Sequence, residues 1–350
     1  ILFIAVMATF PALRMLENLR PGRIGAFLEQ NVNSAYPIEG MNLLSMAGLQ
    51  GNLFARYSTS GFVGYWLEPR IKTFVNGSMN FPPDVFQDYF AVIEKEGVEQ
   101  NERFTDVLDR RKIDLYFGTG TPTSGTFLYT TPDLETHPQW LLIHRSLDHA
   151  IYLRRTPHNR ENLNRVAEYY AEEGIPFDLD SGLDIGVVLR RNTRWAIDRR
   201  MLPANYPHLM RTKKGNPQIL DQLAIIHLLL GDYSAQIRFD EQLVALVPKA
   251  RGPRSRLISS LLKLGRSGEA LAHIQTLAAD GNRRVADLLL KLLNQQLAIA
   301  RNQELETISH DAQDRWRSEM NSLPLVNDGE VRRLKQSLLP PPTLVANHRK

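Results

Sequence analysis

The sequence predicts an α/β domain with a mixed sheet, followed by an all-α, tetratricopeptide-like helical-repeat domain. Three observations predict it. Strand-like and helix-like apolar patterns alternate up to about residue 158 and finish in two adjacent strand runs. From Asn159 onward the strand patterns stop. Finally, a Leu-Gly pair recurs 34 positions apart, at Leu230-Gly231 and Leu264-Gly265, which is the period of helix-turn-helix repeats.

Composition sets the outer bounds. A chain of 350 residues is long enough for two domains, and 43% hydrophobic with 23% charged residues is the balance of a folded protein. The formal charge is only +4, from 42 basic and 38 acidic residues spread along the chain. That argues against a nucleic-acid-binding stripe. With no cysteine, disulfides, zinc-thiolate sites and thiol chemistry are excluded.

The chain opens without Met on Ile1–Leu13, apolar except for Thr9, and so reads as a fragment or a processed product. A spanning helix needs about 20 such residues. The end of a transmembrane helix is the first reading, a buried helix or strand the second and a signal-peptide remnant the third. On the first reading residues 1–24 are membrane and juxtamembrane. Arg14, Arg20 and Arg23 then lie among headgroups, and by the positive-inside tendency they point weakly to a cytoplasmic exit.

Residues 25–158 form the α/β domain. Pro37 opens a helical pattern, "PIEGMNLLSMAGL". Residues 71–75, "IKTFV", read as a strand ending at Asn76-Gly77. The next segment, "PPDVFQDYFAVIEKEG", reads as a helix with Val85, Phe86, Tyr89, Phe90 and Ile93 on its apolar face. "RFTDVLDRRKIDLYFG" predicts a helix entering a strand over Ile113–Phe117, and "QWLLIHRSLDHAIYLRR" a hairpin turning at Ser146–Asp148.

Residues 159–218 read as a helical connector whose Pro-bearing part, 201–218, is a loop. Residues 219–322 are the tetratricopeptide-like domain, and 323–350 a loose tail. The first repeat carries Gly231, Asp232, Tyr233, Ile237, Phe239, Leu246 and Pro248 where the pattern expects them. The second carries Gly265, Ala270 and Leu271. Gln236 departs from the small residue expected at the helix crossing, and no third Leu-Gly follows.

Chemistry is sparse. There is no HExxH or other metal-ligand spacing, no G-x-S-x-G elbow, and Trp66, Trp140, Trp195 and Trp316 are too dispersed for a base-stacking platform. His144 and His149 flank the hairpin turn near Asp148, and read as a solvated turn with one histidine packed in the sheet. "GTGTPTSG" at 118–125 is rich in Gly and Thr like a phosphate loop. It lacks the Lys and the following helix, and reads as a surface loop. Asp88, Glu94, Glu96 and Glu99 read as a solvated helix face. Asn76-Gly77-Ser78 has the form of a glycosylation sequon.

The stretch from Gly48 to Ile93, with "VLDRRKIDLYF" and "PQWLLIHRSLDHAIYLRR", resembles the soluble C-terminal domain of bacterial multi-pass membrane proteins that look like glycosyltransferases using polyprenyl-phosphate-linked sugars. Gly64-Tyr65-Trp66-Leu67 stands for that group's aromatic turn and Lys72–Val75 for its strand. Asp88-Tyr89 stands for its Tyr-bearing helix, and Arg111–Leu115 for its second strand entry. The group's Asp and Arg after the strand are replaced by Asn76 and Ser78. Some members carry tetratricopeptide repeats after this domain.

The resemblance implies a non-catalytic, extracytoplasmic (periplasmic) portion of a membrane glycosyltransferase-like protein, because the group's catalytic carboxylates lie in loops between early membrane helices. A scaffold or accessory subunit of a membrane complex, binding through its helical repeats, is the alternative. A self-contained enzyme using the 118–125 loop is a third. The expected partners are a membrane, through the N-terminal helix, and a protein, through the repeats. Neither nucleic acid nor a cofactor is expected. Tyr65, Trp66, Asn76, Ser78 and Tyr233 are the candidate surface-binding residues.

Overall fold

The computed structural model describes residues 36–76, 80–94, 98, 102–119, 132–135, 137–304, 310–321, 323, 325–326, 329 and 333–334. The apolar N-terminal run, Gly77-Ser78, residues 120–125 and the end of the C-terminal tail therefore lie outside the described residues. The chain divides into two compact units, one built on a sheet and ending at Asp184, the other helical from Ile185.

The first unit begins with α1 (Ile38–Met46), β1 (Gly51–Ala55), α2 (Tyr57–Leu67) and β2 (Ile71–Thr73). It continues with α3 (Pro83–Glu94), α4 (Phe104–Arg110), β3 (Leu115–Thr119) and the short α5 (Pro132–Glu135). The hairpin of β4 (Trp140–Arg145) and β5 (His149–Arg154) follows, then α6 (Arg160–Glu172). The sheet is mixed, in the order β2-β1-β3-β5-β4. β1 runs parallel to β2 and β3, while β5 is antiparallel to both β3 and β4.

Alternation along the strands assigns the two faces. Phe54 lies opposite Tyr116, and Tyr116 opposite Tyr152, so these rings share one face. Tyr89 and Val92 of α3, with Val107 and Leu108 of α4, close over it. The other face carries Leu53, Leu115, Phe117 and Ile151. There α1 approaches so closely that a Cβ on Gly40 would stand 2.5 Å from the Phe117 ring.

Several elements differ from the sequence expectation. Gly64–Leu67 is not a turn but the end of α2, which packs on β1 and β2. The buried side of α3 is Asp88, Tyr89, Ala91 and Val92, whereas Phe90 is exposed, so the apolar face is rotated from the one the side-chain pattern gives. α6, read as part of a connector, is tied to the sheet unit. The Asn162 amide accepts from the Gln50 N–H (3.1 Å) and donates to the Gln50 carbonyl (2.7 Å), and the Tyr170 hydroxyl donates to the Ile143 carbonyl.

The second unit starts with two short helices, α7 (Ile185–Arg191) and α8 (Thr193–Asp198). Next comes α9 (Tyr206–Thr212), inside the segment read as a loop. Then follow α10 (Pro217–Leu230), α11 (Tyr233–Leu246), α12 (Arg251–Lys263), α13 (Ser267–Ala279), α14 (Arg283–Glu304) and α15 (His310–Asn321). The starts of α10 and α12, at Pro217 and Arg251, are 34 residues apart, as are those of α11 and α13, at Tyr233 and Ser267. Each helix of this series packs on the next, and α12 also reaches α14. Gly231 (φ 77°) and Gly265 (φ 72°) end α10 and α12 in the left-handed conformation that favours glycine. Among the described residues, no helix is long and apolar enough to cross a membrane.

Candidate functional site

The corner between β2 and α3, continued by α4, gathers five charged side chains, Asp84, Asp88, Glu102, Arg110 and Arg111. Asp88 projects from the buried side of α3 and is 2% exposed. Arg110, at the end of α4, grips it with both terminal nitrogens (Nη1 to Oδ2 2.8 Å, Nη2 to Oδ1 2.9 Å). The Nε of Arg111 donates to the same carboxylate, and its Nη2 reaches Asp84 at 2.6 Å. Arg110 also holds Glu102 at 3.1 Å. The Arg111 guanidinium lies 5.9 Å from the Phe74 ring centre, which puts it over the strand exit. Next to Asp88, the Tyr89 hydroxyl accepts the Tyr57 N–H at 2.8 Å, capping the first turn of α2.

The electrostatics follow from this geometry. Burial pushes the Asp88 carboxyl up, but the hydrogen bonds from Arg110 and Arg111 outweigh it and hold the group below the ordinary carboxylate range. Asp84 is held low by the hydrogen bond from Arg111. Two guanidiniums thus face three carboxylates. The cluster offers neither a poised general base nor a cationic pocket for phosphate, and it works as a clamp between α3 and α4. Asp88 is therefore not on a solvated helix face; Glu94 is exposed, and Glu96 and Glu99 lie outside the described residues.

Of the candidate surface residues, Tyr65 and Trp66 come together on α2, their rings edge to face at 5.1 Å. Tyr65 is 80% exposed and Trp66 half-buried. Asn76 is half-buried just past β2, and Ser78 lies outside the described residues. Tyr233 belongs to the helical unit, where Lys263 of α12 places its ammonium 4.9 Å from the ring centre. That contact links the first helix pair to the second.

Both hairpin histidines are buried, His144 at 4% and His149 at 1% exposure, so the solvated turn is corrected. Their rings stack at 5.1 Å, with the two Nε2 atoms 3.2 Å apart. Ser146 Oγ (2.7 Å) and Asp148 Oδ1 (3.0 Å) both meet His149 at Nδ1. A nucleophilic triad needs serine and carboxylate on opposite ring nitrogens. With both on one nitrogen and His144 on the other, the group ties the hairpin turn and activates no hydroxyl.

The helical unit holds a polar chain that the sequence reading missed. The Tyr206 hydroxyl meets His227 Nε2 at 2.9 Å, and His227 Nδ1 meets Asp232 Oδ2 at 3.1 Å. Asp232 also caps α11 by accepting the Ala235 N–H at 3.2 Å. All three residues are buried, at 5%, 4% and 7% exposure, and the chain fastens α9 to the turn between α10 and α11. The available signal was His227 and Asp232 on either side of Gly231. Gln236, the departure at the helix crossing, is fully buried and donates to Asp240, which Arg256 bridges to Asp221.

Among the described residues no group of His, Asp or Glu is placed to hold a metal ion. Comparison with family models, curated proteins and solved structures finds no match.

Proposed function

We propose that this chain is the non-catalytic, soluble C-terminal portion of a membrane-embedded, glycosyltransferase-like protein. Its N-terminal segment anchors it in the membrane on the extracytoplasmic, periplasmic side, and it contacts an acceptor or a partner protein. The observation that carries the reading is the corner clamp. The positions of the resemblance, Asp88-Tyr89 and the entry at Arg111, converge there, and their polar groups are consumed in holding α2, α3 and α4 together. Residues spent in this way support a structural role for the corner rather than sugar transfer there.

The 34-residue recurrence of helix starts, with glycine in the left-handed conformation at both turns, supports a tetratricopeptide-like array in the second unit. One observation favours the scaffold reading. Leu290 and Leu297, on one side of α14, are exposed, and a shallow groove of about 540 Å³ runs along that side past Leu290, Lys291 and Gln295. Exposed apolar surface of this kind suits a protein partner.

The test has two parts. Reconstituted in membranes with a polyprenyl-phosphate-linked sugar and an acceptor, the chain is expected to transfer no sugar; turnover would sink the non-catalytic reading. The coding sequence upstream of Ile1 is expected to encode several hydrophobic spans of about 20 residues. If it encodes none, the transferase ancestry fails and the scaffold reading stands. Deleting residues 219–350 then decides whether the array binds, since unchanged partner capture would exclude it.

A further inference from the structure

We propose that the aromatic edge formed by Tyr36, Phe62, Tyr65 and Trp66 is a membrane-interface contact, seated among the headgroups of the bilayer in which the N-terminal segment is anchored; this rests on the anchoring proposed above. The first support is the composition of α2. Its eleven residues, "YSTSGFVGYWL", include no charged side chain, although only one side of the helix is buried. A helix face meant for water normally carries charge. The buried side is Thr59, Ser60, Val63, Gly64 and Leu67, packed on β1 and β2.

The outward side is aromatic. Phe62, Tyr65 and Trp66 stand at positions i, i+3 and i+4, so they share one flank of the helix. Tyr65, at 80%, is the most exposed large hydrophobic side chain among the described residues. Tyrosine and tryptophan place an apolar ring and a polar tip at one site, which suits the boundary between headgroups and acyl chains.

The course of the chain identifies the occupant. Tyr36 is the first described residue, and its ring stacks on Phe62 at 4.6 Å. The 35 residues before it contain the apolar run Ile1–Leu13, followed by Arg14, Arg20 and Arg23. The described chain begins against this aromatic flank, 23 residues after the apolar run ends. Arg56 is exposed immediately before α2 and Glu68 immediately after it, whereas Arg70 turns inward, its Nη2 donating to the Ser45 carbonyl at 3.4 Å.

The absence of cysteine makes the test clean. Tyr65→Cys and, as control, Glu94→Cys are each labelled with an environment-sensitive fluorophore in the full 350-residue chain. Glu94 is exposed at the end of α3, on the opposite face of the sheet from α2. Both proteins are reconstituted in mixed phosphatidylcholine–phosphatidylglycerol vesicles carrying a headgroup-proximal nitroxide lipid. The label at 65 is expected to shift to the blue and to be quenched several-fold more strongly by the nitroxide than the label at 94. Equal quenching at the two positions, in chains that float with the vesicles, overturns the contact alone. Protection of position 65 from aqueous iodide without quenching by the nitroxide means that protein covers the edge, and also overturns it. A chain that does not float with vesicles overturns the anchoring and this contact together.

Discussion

Asp88 sets the chemistry of its corner by where it points. A carboxylate at 2% exposure is costly unless its charge is matched, and Arg110 and Arg111 match it with three hydrogen bonds. Truncating one member of a fully buried pair costs roughly 3–5 kcal/mol. Here Arg110 is 43% exposed and recovers hydration when its partner is lost, so the cost of Asp88→Ala falls to about 2 kcal/mol. Urea titration reads it directly, and a loss below about 0.5 kcal/mol, the scatter of ordinary surface changes, would contradict the clamp. The pH dependence has a definite sign. Because the folded-state carboxyl lies below its ordinary value, its stabilisation is complete above the ordinary carboxylate range and fades as pH falls through the folded value. The acid limb of the stability curve is therefore expected to be shallower in Asp88→Asn than in the parent.

At the scale of elements, legibility follows how local the forces are. The hairpin at Ser146–Asp148 and the turns at Gly231 and Gly265 were legible because each rests on neighbouring residues. α2 was not. Two glycines and several Ser and Thr residues lower its helix propensity. Its start is fixed instead by the distant Tyr89 hydroxyl, and Gly64 lets it close to within 3.2 Å of the Thr73 hydroxyl, measured from the position a Cβ would take. The burial of Asp88 was equally hidden, since the arginines that permit it come 22 and 23 positions later. α9 was masked by its prolines, yet Pro207 sits in the first turn, where a missing N–H costs nothing. Its anchor, Tyr206, titrates high: burial and the neighbouring Asp232 push the phenol up to about 12. A folded value raised above the ordinary tyrosine range means that the stabilisation is complete below about pH 10 and is lost as pH rises toward 12, on the order of 2 kcal/mol. Tyr206→Phe is expected to remove that alkaline loss, measured as the difference between parent and variant melting temperatures across this range. An identical alkaline limb in both proteins would count against the Tyr206–His227–Asp232 chain.

For the molecule as a whole, the helical unit raises the problem of any series of packed helices, whose outer apolar side must be covered. Leu289, Leu292 and Leu293 of α14, with Met320 of α15 and Leu323 after it, are buried in one cluster with Leu261, Leu262, Ile274 and Leu277 of α12 and α13. α14 and α15 therefore cover the apolar side that the preceding pair would otherwise show to water. Each fully buried leucine contributes about 1.5–3 kcal/mol. Losing five such side chains at once is of the order of a whole domain's margin, about 5–15 kcal/mol. A chain ending at Asn282 should thus lose more than the helicity of the deleted residues, because α12 and α13 loosen as well. It should also self-associate through Ile274 and Leu277. Far-ultraviolet circular dichroism and size-exclusion chromatography measure both effects. A truncated chain that stays monomeric, with ellipticity reduced only in proportion to the helices removed, would show that α12 and α13 are held by each other rather than by α14 and α15.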